Sequence, residues 1–151
     1  MKSNEYFMNI AQAISLKSKD PSTKVGALII DNDSRIISTG YNGFVAGCDE
    51  SFMTQDRPMK YQLVVHGELN ALLFARRDVK GFKLYTTHGP CANCLKHILQ
   101  AGIREIYYKD AGVVRDRGTP EEKEAITRLI NSTNAKVINV DTDIEYVIEL
   151  S

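Results

Sequence analysis

The chain has 151 residues, 43% of them hydrophobic, which suits one domain spanning 1–151 with a core of its own. Nineteen basic residues balance nineteen acidic ones, so no basic field is offered to nucleic acid, which is not an expected partner. The opening MKSNEYFMNI lacks the order of a signal peptide, no apolar run approaches the roughly 20 residues of a membrane helix, and three cysteines are an odd number for a disulfide framework. Together these point to a cytoplasmic protein with no membrane partner.

Ser3 or Asn4 is a candidate cap for a first helix, in which Phe7, Ile10, Ile14 and Lys17 follow helical spacing and which Asp20-Pro21 ends. Residues 25–31 and 35–41 read as two strands. The turn formers Asn32, Asp33 and Ser34 between them predict an antiparallel hairpin. Residues 42–63, with Gly43, Gly47 and Pro58, read as a loop too long to be without a task. Leu63 to Arg77 reads as a helix, 82–87 as a strand, 91–102 as a helix closed by Gly102, and 104–108 as a strand. Thr119 caps a helix that starts near Pro120 and runs to about Asn131, and 135–140 is the last strand. The tail from 141 reads as a short helix or strand. Strands alternate with helices after the hairpin, which predicts an α/β fold: a three-layer α/β/α sandwich with a mixed five-stranded sheet.

Two stretches carry chemistry. HGELNA puts His66 and Glu68 two apart at the head of an apolar helical run, and TTHGPCANCLK sets Cys91 and Cys94 on adjacent turns at another helix start. A helix N-terminus favours the thiolate form of cysteine. Taken alone, C-x-x-C is also the spacing of a structural zinc knuckle or a redox pair. Combined with His66, it gives three zinc ligands and leaves the fourth tetrahedral position open, which marks catalytic rather than structural zinc. Glu68 is not needed as a ligand. It is free to take a proton from a water whose pKa zinc lowers from about 15.7 to about 7, and to pass it to the substrate. H-x-E with P-C-x-x-C is the signature of zinc-dependent nucleobase deaminases.

With PSTKVGALI, STGYNGFVAGC, HGELNALLFA and PCANCLKHILQAGI, the sequence resembles the deoxycytidylate (dCMP) deaminases from about residue 5 to residue 110. The resemblance implies a cytidine-deaminase-like fold and hydrolysis of dCMP to dUMP and ammonia, in supply of thymidylate synthesis. It implies one catalytic zinc ion per subunit on His66, Cys91 and Cys94, with Glu68 as proton shuttle. It implies further that Asn42 hydrogen-bonds the substrate sugar and that Ser22, Thr23 and Lys24 lie near the 5'-phosphate. Two hydroxyls and an ammonium are in any case a reasonable anion site. Many members are hexamers activated by dCTP and inhibited by dTTP. In relatives the turn corresponding to Tyr41, Asn42 and Gly43 belongs to that effector site, where Mg2+ would accompany a triphosphate.

The sequence departs from the family pattern at Gly67, where alanine is usual, and at Val45, where proline is usual. Cys48 has no partner set for a second zinc and reads as a buried small hydrophobe. His88 reads as a solvent-facing loop residue, and His97 as structural. Tyr107 and Tyr108 alternate along one strand, with one facing the core, and either is a candidate to stack on a base or contact a phosphate. Arg115 and Arg117 are candidate phosphate contacts. Two alternatives stay open. One is a zinc deaminase of a nucleoside or tRNA base, and the other is a catalytically silent nucleotide-binding zinc module.

Overall fold

The computed structural model describes residues 2–110 and 118–142. Arg115, Arg117 and the tail beyond 142 lie outside the described residues.

The elements run α1 (Ser3–Ser15), β1 (Gly26–Ile30), β2 (Ile36–Tyr41), β3 (Gly43–Phe44), α2 (Phe52–Gln55), α3 (Arg57–Leu63) and β4 (Val64–Val65). They continue with α4 (Gly67–Ala75), β5 (Lys83–His88), α5 (Ala92–Gln100), β6 (Glu105–Asp110), α6 (Pro120–Thr133) and β7 (Lys136–Asn139). The main sheet has five strands in the order β2-β1-β5-β6-β7. β1 is antiparallel to both neighbours, while β5, β6 and β7 are parallel. The expected mixed sheet and hairpin are therefore present.

Alternation along the strands divides the core into two layers. Ala27, Ile29, Leu84, Ile106 and Tyr108 face α4, α5 and α6, where Ala71, Cys94, Leu95, Ile98, Ile126 and Ile130 complete one cluster. Leu28, Ile30 and Tyr85 face α1 and pack on Phe7, Met8 and Ala11. The result is the expected three-layer sandwich. Tyr108 is fully buried, and Tyr107 stacks on Tyr85 at 4.8 Å between ring centroids. The Tyr107 hydroxyl donates to Glu105 Oε2 at 3.1 Å.

The sequence reading is corrected at several points. α1 ends at Ser15, well before Asp20-Pro21, and its N-cap residue Lys2 makes no side-chain cap bond. Asn4 Oδ1 instead accepts from the Tyr85 hydroxyl at 2.6 Å. The supposed loop over 42–63 contains β3, α2 and α3. Pro58 stands in the first turn of α3, where proline is tolerated, and the Asp56 side chain caps the helix by accepting the Met59 N–H at 3.1 Å. The expected helix over 63–77 is shorter, since Val64 and Val65 pair with Phe44 and Gly43 before α4 begins. Arg76, with φ 52°, ends α4 in the left-handed region. Cys48 is half-buried rather than buried.

α4 lies unusually close to β2. A Cβ on Gly40 would sit 2.3 Å from the Gly67 carbonyl oxygen and 2.4 Å from the Ala71 amide nitrogen. Across the same seam, a Cβ on Gly67 would stand 3.2 Å from the Val25 oxygen. Two glycines bring the head of α4, and with it His66 and Glu68, down onto the sheet.

Candidate active site

His66 holds extended backbone (φ −69°, ψ 152°) at the N-cap position of α4, and Glu68 sits in the first turn. Cys91 is the N-cap residue of α5, and its sulfur accepts the Cys94 N–H at 3.5 Å. β5 delivers that second helix, and β1 separates it from the hairpin strand under α4. His66 Nδ1 lies 3.1 Å from Cys94 Sγ and 3.6 Å from Cys91 Sγ. The three donor atoms are all within 4.8 Å of one another.

The electrostatics follow from these contacts. The Cys91 thiol is pushed down to about 4, foremost by its hydrogen bond with Cys94, with His66 adding to the effect. The Cys94 thiol, fully buried and bonded to that thiolate, is held well above the usual range. His66 is raised, chiefly through its bond to Cys91. The donor chemistry and spacing fit zinc: a tetrahedral ion with bonds of about 2.0–2.3 Å keeps its donors roughly 3.3–3.8 Å apart. These three residues could hold the ion.

Glu68 is 4% exposed, and its Oε1 accepts from the Thr86 hydroxyl at 2.6 Å. Burial pushes its carboxyl above the ordinary glutamate value, and the Thr86 and His66 contacts only partly offset this. A buried carboxyl with a raised pKa beside a metal site is the expected property of a general acid–base group.

Glu68, His66 and Cys91 line a cleft of about 160 Å³ together with Asp20, Ser22, Thr23, Asn42, Arg57, Lys60, Tyr61 and His88. Ser22 and Thr23 are among the residues that line it. Lys24 is not: its neighbours Thr23 and Val25 line the cleft, and Lys24 between them is exposed and outside it. The cationic groups come instead from α3. Arg57 Nη2 donates to Ser22 Oγ at 3.2 Å, and Lys60 Nζ lies 2.9 Å from Asp20 Oδ1 in a buried ion pair. Asp20 also accepts the N–H groups of Ser22 and Thr23, at 2.8 and 3.2 Å, so it shapes the whole 20–23 turn.

Asn42 is buried at the cleft wall. Its Oδ1 accepts the Val25 N–H at 2.8 Å and its Nδ2 donates to the Thr23 carbonyl at 2.8 Å, so the side chain ties β2 to this turn. His88 lines the cleft rather than facing solvent, with Nδ1 2.9 Å from Thr87 Oγ1. His97 lies on α5 outside it, with Nδ1 2.6 Å from the Asn93 carbonyl.

Sequence reading missed Arg57, Lys60, Asp20 and Thr86. The first two had a signal, a basic pair three residues apart after an Asp-x-Pro helix start. Thr86 had none.

A second cleft of about 550 Å³ is lined by Tyr41, Asn42 and Gly43, with Lys17, Lys19, Glu50, Phe44, Leu73 and Phe74 around them. A Cβ on Gly43 would meet nothing within 4 Å.

Residues 1–110 match the cytidine and deoxycytidylate deaminase zinc-binding region. An uncharacterised deaminase of Aliivibrio fischeri is 45% identical over 101 residues, 67% of this chain and 68% of that one. The deoxycytidylate deaminase of Mus musculus is 37% identical over 133 residues, 83% of this chain and 72% of the mouse protein. Among solved structures, the dCMP deaminase of cyanophage S-TIM5, crystallised with dCMP and dUMP, superposes with a TM-score of 0.70 at 27% identity. That match covers 93% of this chain and 99% of the phage protein.

Proposed function

Because the chain belongs to the cytidine and deoxycytidylate deaminase family, we propose that it is a single-domain, zinc-dependent enzyme hydrolysing dCMP to dUMP and ammonia. The observation that carries the substrate is the shared cleft. The metal-ligand set and Glu68 line it, and so do the Ser22 and Thr23 turn and the α3 cations Arg57 and Lys60. A nucleoside monophosphate needs both, a reactive centre for its base and cationic donors for its phosphate.

His66, Cys91 and Cys94 would hold zinc, which supplies the Lewis acidity that brings the pKa of water from about 15.7 to about 7. Glu68 does the proton work. Its carboxylate takes the proton from the attacking water and returns it to the ring nitrogen N3 of cytosine. The oxygen bonds to C4, the C4–N bond breaks, and the exocyclic amine leaves with a further proton as ammonia. Thr86 fixes one carboxylate oxygen at 2.6 Å and so orients the group for this exchange. Arg57, with Ser22 and Thr23, would bind the 5'-phosphate. Asn42 would order the turn beside the sugar.

The second cleft supports the finer reading that dCTP activates and dTTP inhibits. Lys17 and Lys19, the latter 3.2 Å from Glu50, offer positive charge to a triphosphate, Glu50 is the acidic group beside its Mg2+, and Tyr41 and Gly43 stand at an open wall for its base. Leu73 and Phe74 of α4 are 67% and 60% exposed beside this cleft. That is consistent with a homo-oligomer, which we read as a hexamer. Thiolate ligands need a reducing compartment, in keeping with a cytoplasmic location. Among the described residues no helix is long and apolar enough to cross a membrane.

The test is to incubate zinc-loaded protein with dCMP and identify the product, with dCTP or dTTP added in parallel. Formation of dUMP is expected, faster with dCTP and slower with dTTP. No dUMP would refute the enzymatic reading, and an unchanged rate would refute the effector reading alone.

A further inference from the structure

The metal-bearing helix α5 is braced from a part of the chain beyond the 1–110 region matched by the family. Glu122, in the first turn of α6, reaches across and accepts the Ala92 N–H on Oε2 at 3.1 Å. Ala92 is the first residue of α5 and follows Cys91 directly. The first N–H groups of a helix have no partner inside it, so an N–H left unbonded there allows the turn to fray.

Glu122 is itself well fixed. Its own N–H donates to the cap residue Thr119 at 3.1 Å, and it is half-buried. Ile126 and Ile130 of α6 share one buried cluster with Cys94, Leu95 and Ile98 of α5, so the two helices are packed as a unit.

We propose that Glu122 is a positioning residue for the metal centre, its carboxylate holding the Ala92 N–H so that the Cys91 and Cys94 sulfurs share one ion with His66. It touches neither metal nor substrate. It acts through the backbone of the residue beside a ligand, as outer-shell partners of metal sites do. The inference rests on the zinc reading of His66, Cys91 and Cys94.

The test is equilibrium zinc affinity of the full chain, read by competition with a chromophoric chelator and independent of turnover. Glu122→Gln keeps an oxygen that can accept the N–H and should bind zinc much as the parent does. Glu122→Asp keeps the charge but is one methylene too short to reach, and should lose about 10- to 100-fold in affinity. Glu121→Ala alters an exposed carboxylate in the same turn and should change nothing. Denaturant melts of the zinc-free proteins would separate loss of fold from loss of affinity. Zinc bound equally well by the Asp variant and the parent would overturn the proposal, as would equal losses in Asp and Gln. A parent that binds no zinc would bring down the metal assignment and this inference with it, an outcome distinct from the other two.

Discussion

The Thr86 hydroxyl lies 2.6 Å from Glu68 Oε1 and 3.1 Å from the His88 carbonyl oxygen. It has a single proton for these two acceptors. When Glu68 is ionised, Thr86 donates to it. When Glu68 is protonated, the carboxyl can donate to the Thr86 oxygen, and the hydroxyl proton turns to His88. One side chain thus accommodates both protonation states that a proton shuttle visits. Thr86→Val keeps the shape and removes the hydroxyl. Leaving a buried acceptor unsatisfied costs about 1–3 kcal/mol, so kcat should fall roughly 10- to 100-fold. KM and zinc content should stay near the parent values, and steady-state kinetics with metal analysis would check this.

Glu68→Gln separates chemistry from stability. Loss of the general acid–base group should lower kcat by about 10²–10⁴-fold. Burial raises the folded pKa of Glu68, so its charged form opposes folding, and stability falls as pH rises through the folded value. Removing the charge should raise the melting temperature of the zinc-free protein, with the largest gain on the alkaline side. Calorimetry across pH tests both the direction and the sign.

Arg57 and Lys60 should respond differently. Arg57→Ala removes an exposed donor to Ser22 and should raise the KM for dCMP with little effect on folding, while Lys24→Ala should change neither. Lys60→Ala leaves the Asp20 carboxylate buried without its cation and should cost about 3–5 kcal/mol of stability. Burial alone would raise the Asp20 carboxyl, but the Lys60 ammonium and two N–H groups outweigh it and hold the group below 3.8. The pairing therefore stabilises the fold above that value and is lost as pH falls through the folded one. Denaturant melts of the parent and Lys60→Ala should converge on acidification.

Gly40→Ala would drive a methyl into the backbone of α4 at 2.3 Å from the Gly67 oxygen. Neither β2 nor the helix backbone can give way easily. We expect a loss of about 1–3 kcal/mol or more, and weaker zinc binding because His66 rides on the displaced helix. A variant as stable as the parent would refute the close-approach argument.

The mixed sheet, the hairpin and the grouping of His66, Cys91 and Cys94 were legible from local pattern: turn formers at 32–34, strands alternating with helices after them, cysteines three apart at a helix start, and an H-x-E at another. The substrate-facing wall was less so. Pro58 reads as part of a loop, and the Asp56 cap shows it instead in the first turn of a helix. Lys24 reads as a phosphate contact by proximity in sequence, but it is exposed and lies outside the cleft, while the cations that line it are Arg57 and Lys60, more than thirty residues on. Thr86 meets Glu68, and Glu122 meets Ala92, only after the β-α-β crossings are made, and no local spacing encodes either contact.

The most direct test is ammonia release by the zinc-loaded protein given dCMP and deoxycytidine side by side. Turnover of dCMP with deoxycytidine nearly inert is expected, and the gap should shrink in Arg57→Ala. Equal turnover of the two would contradict the phosphate wall and make this a nucleoside deaminase. No turnover of either, with zinc bound, would contradict the account at its centre.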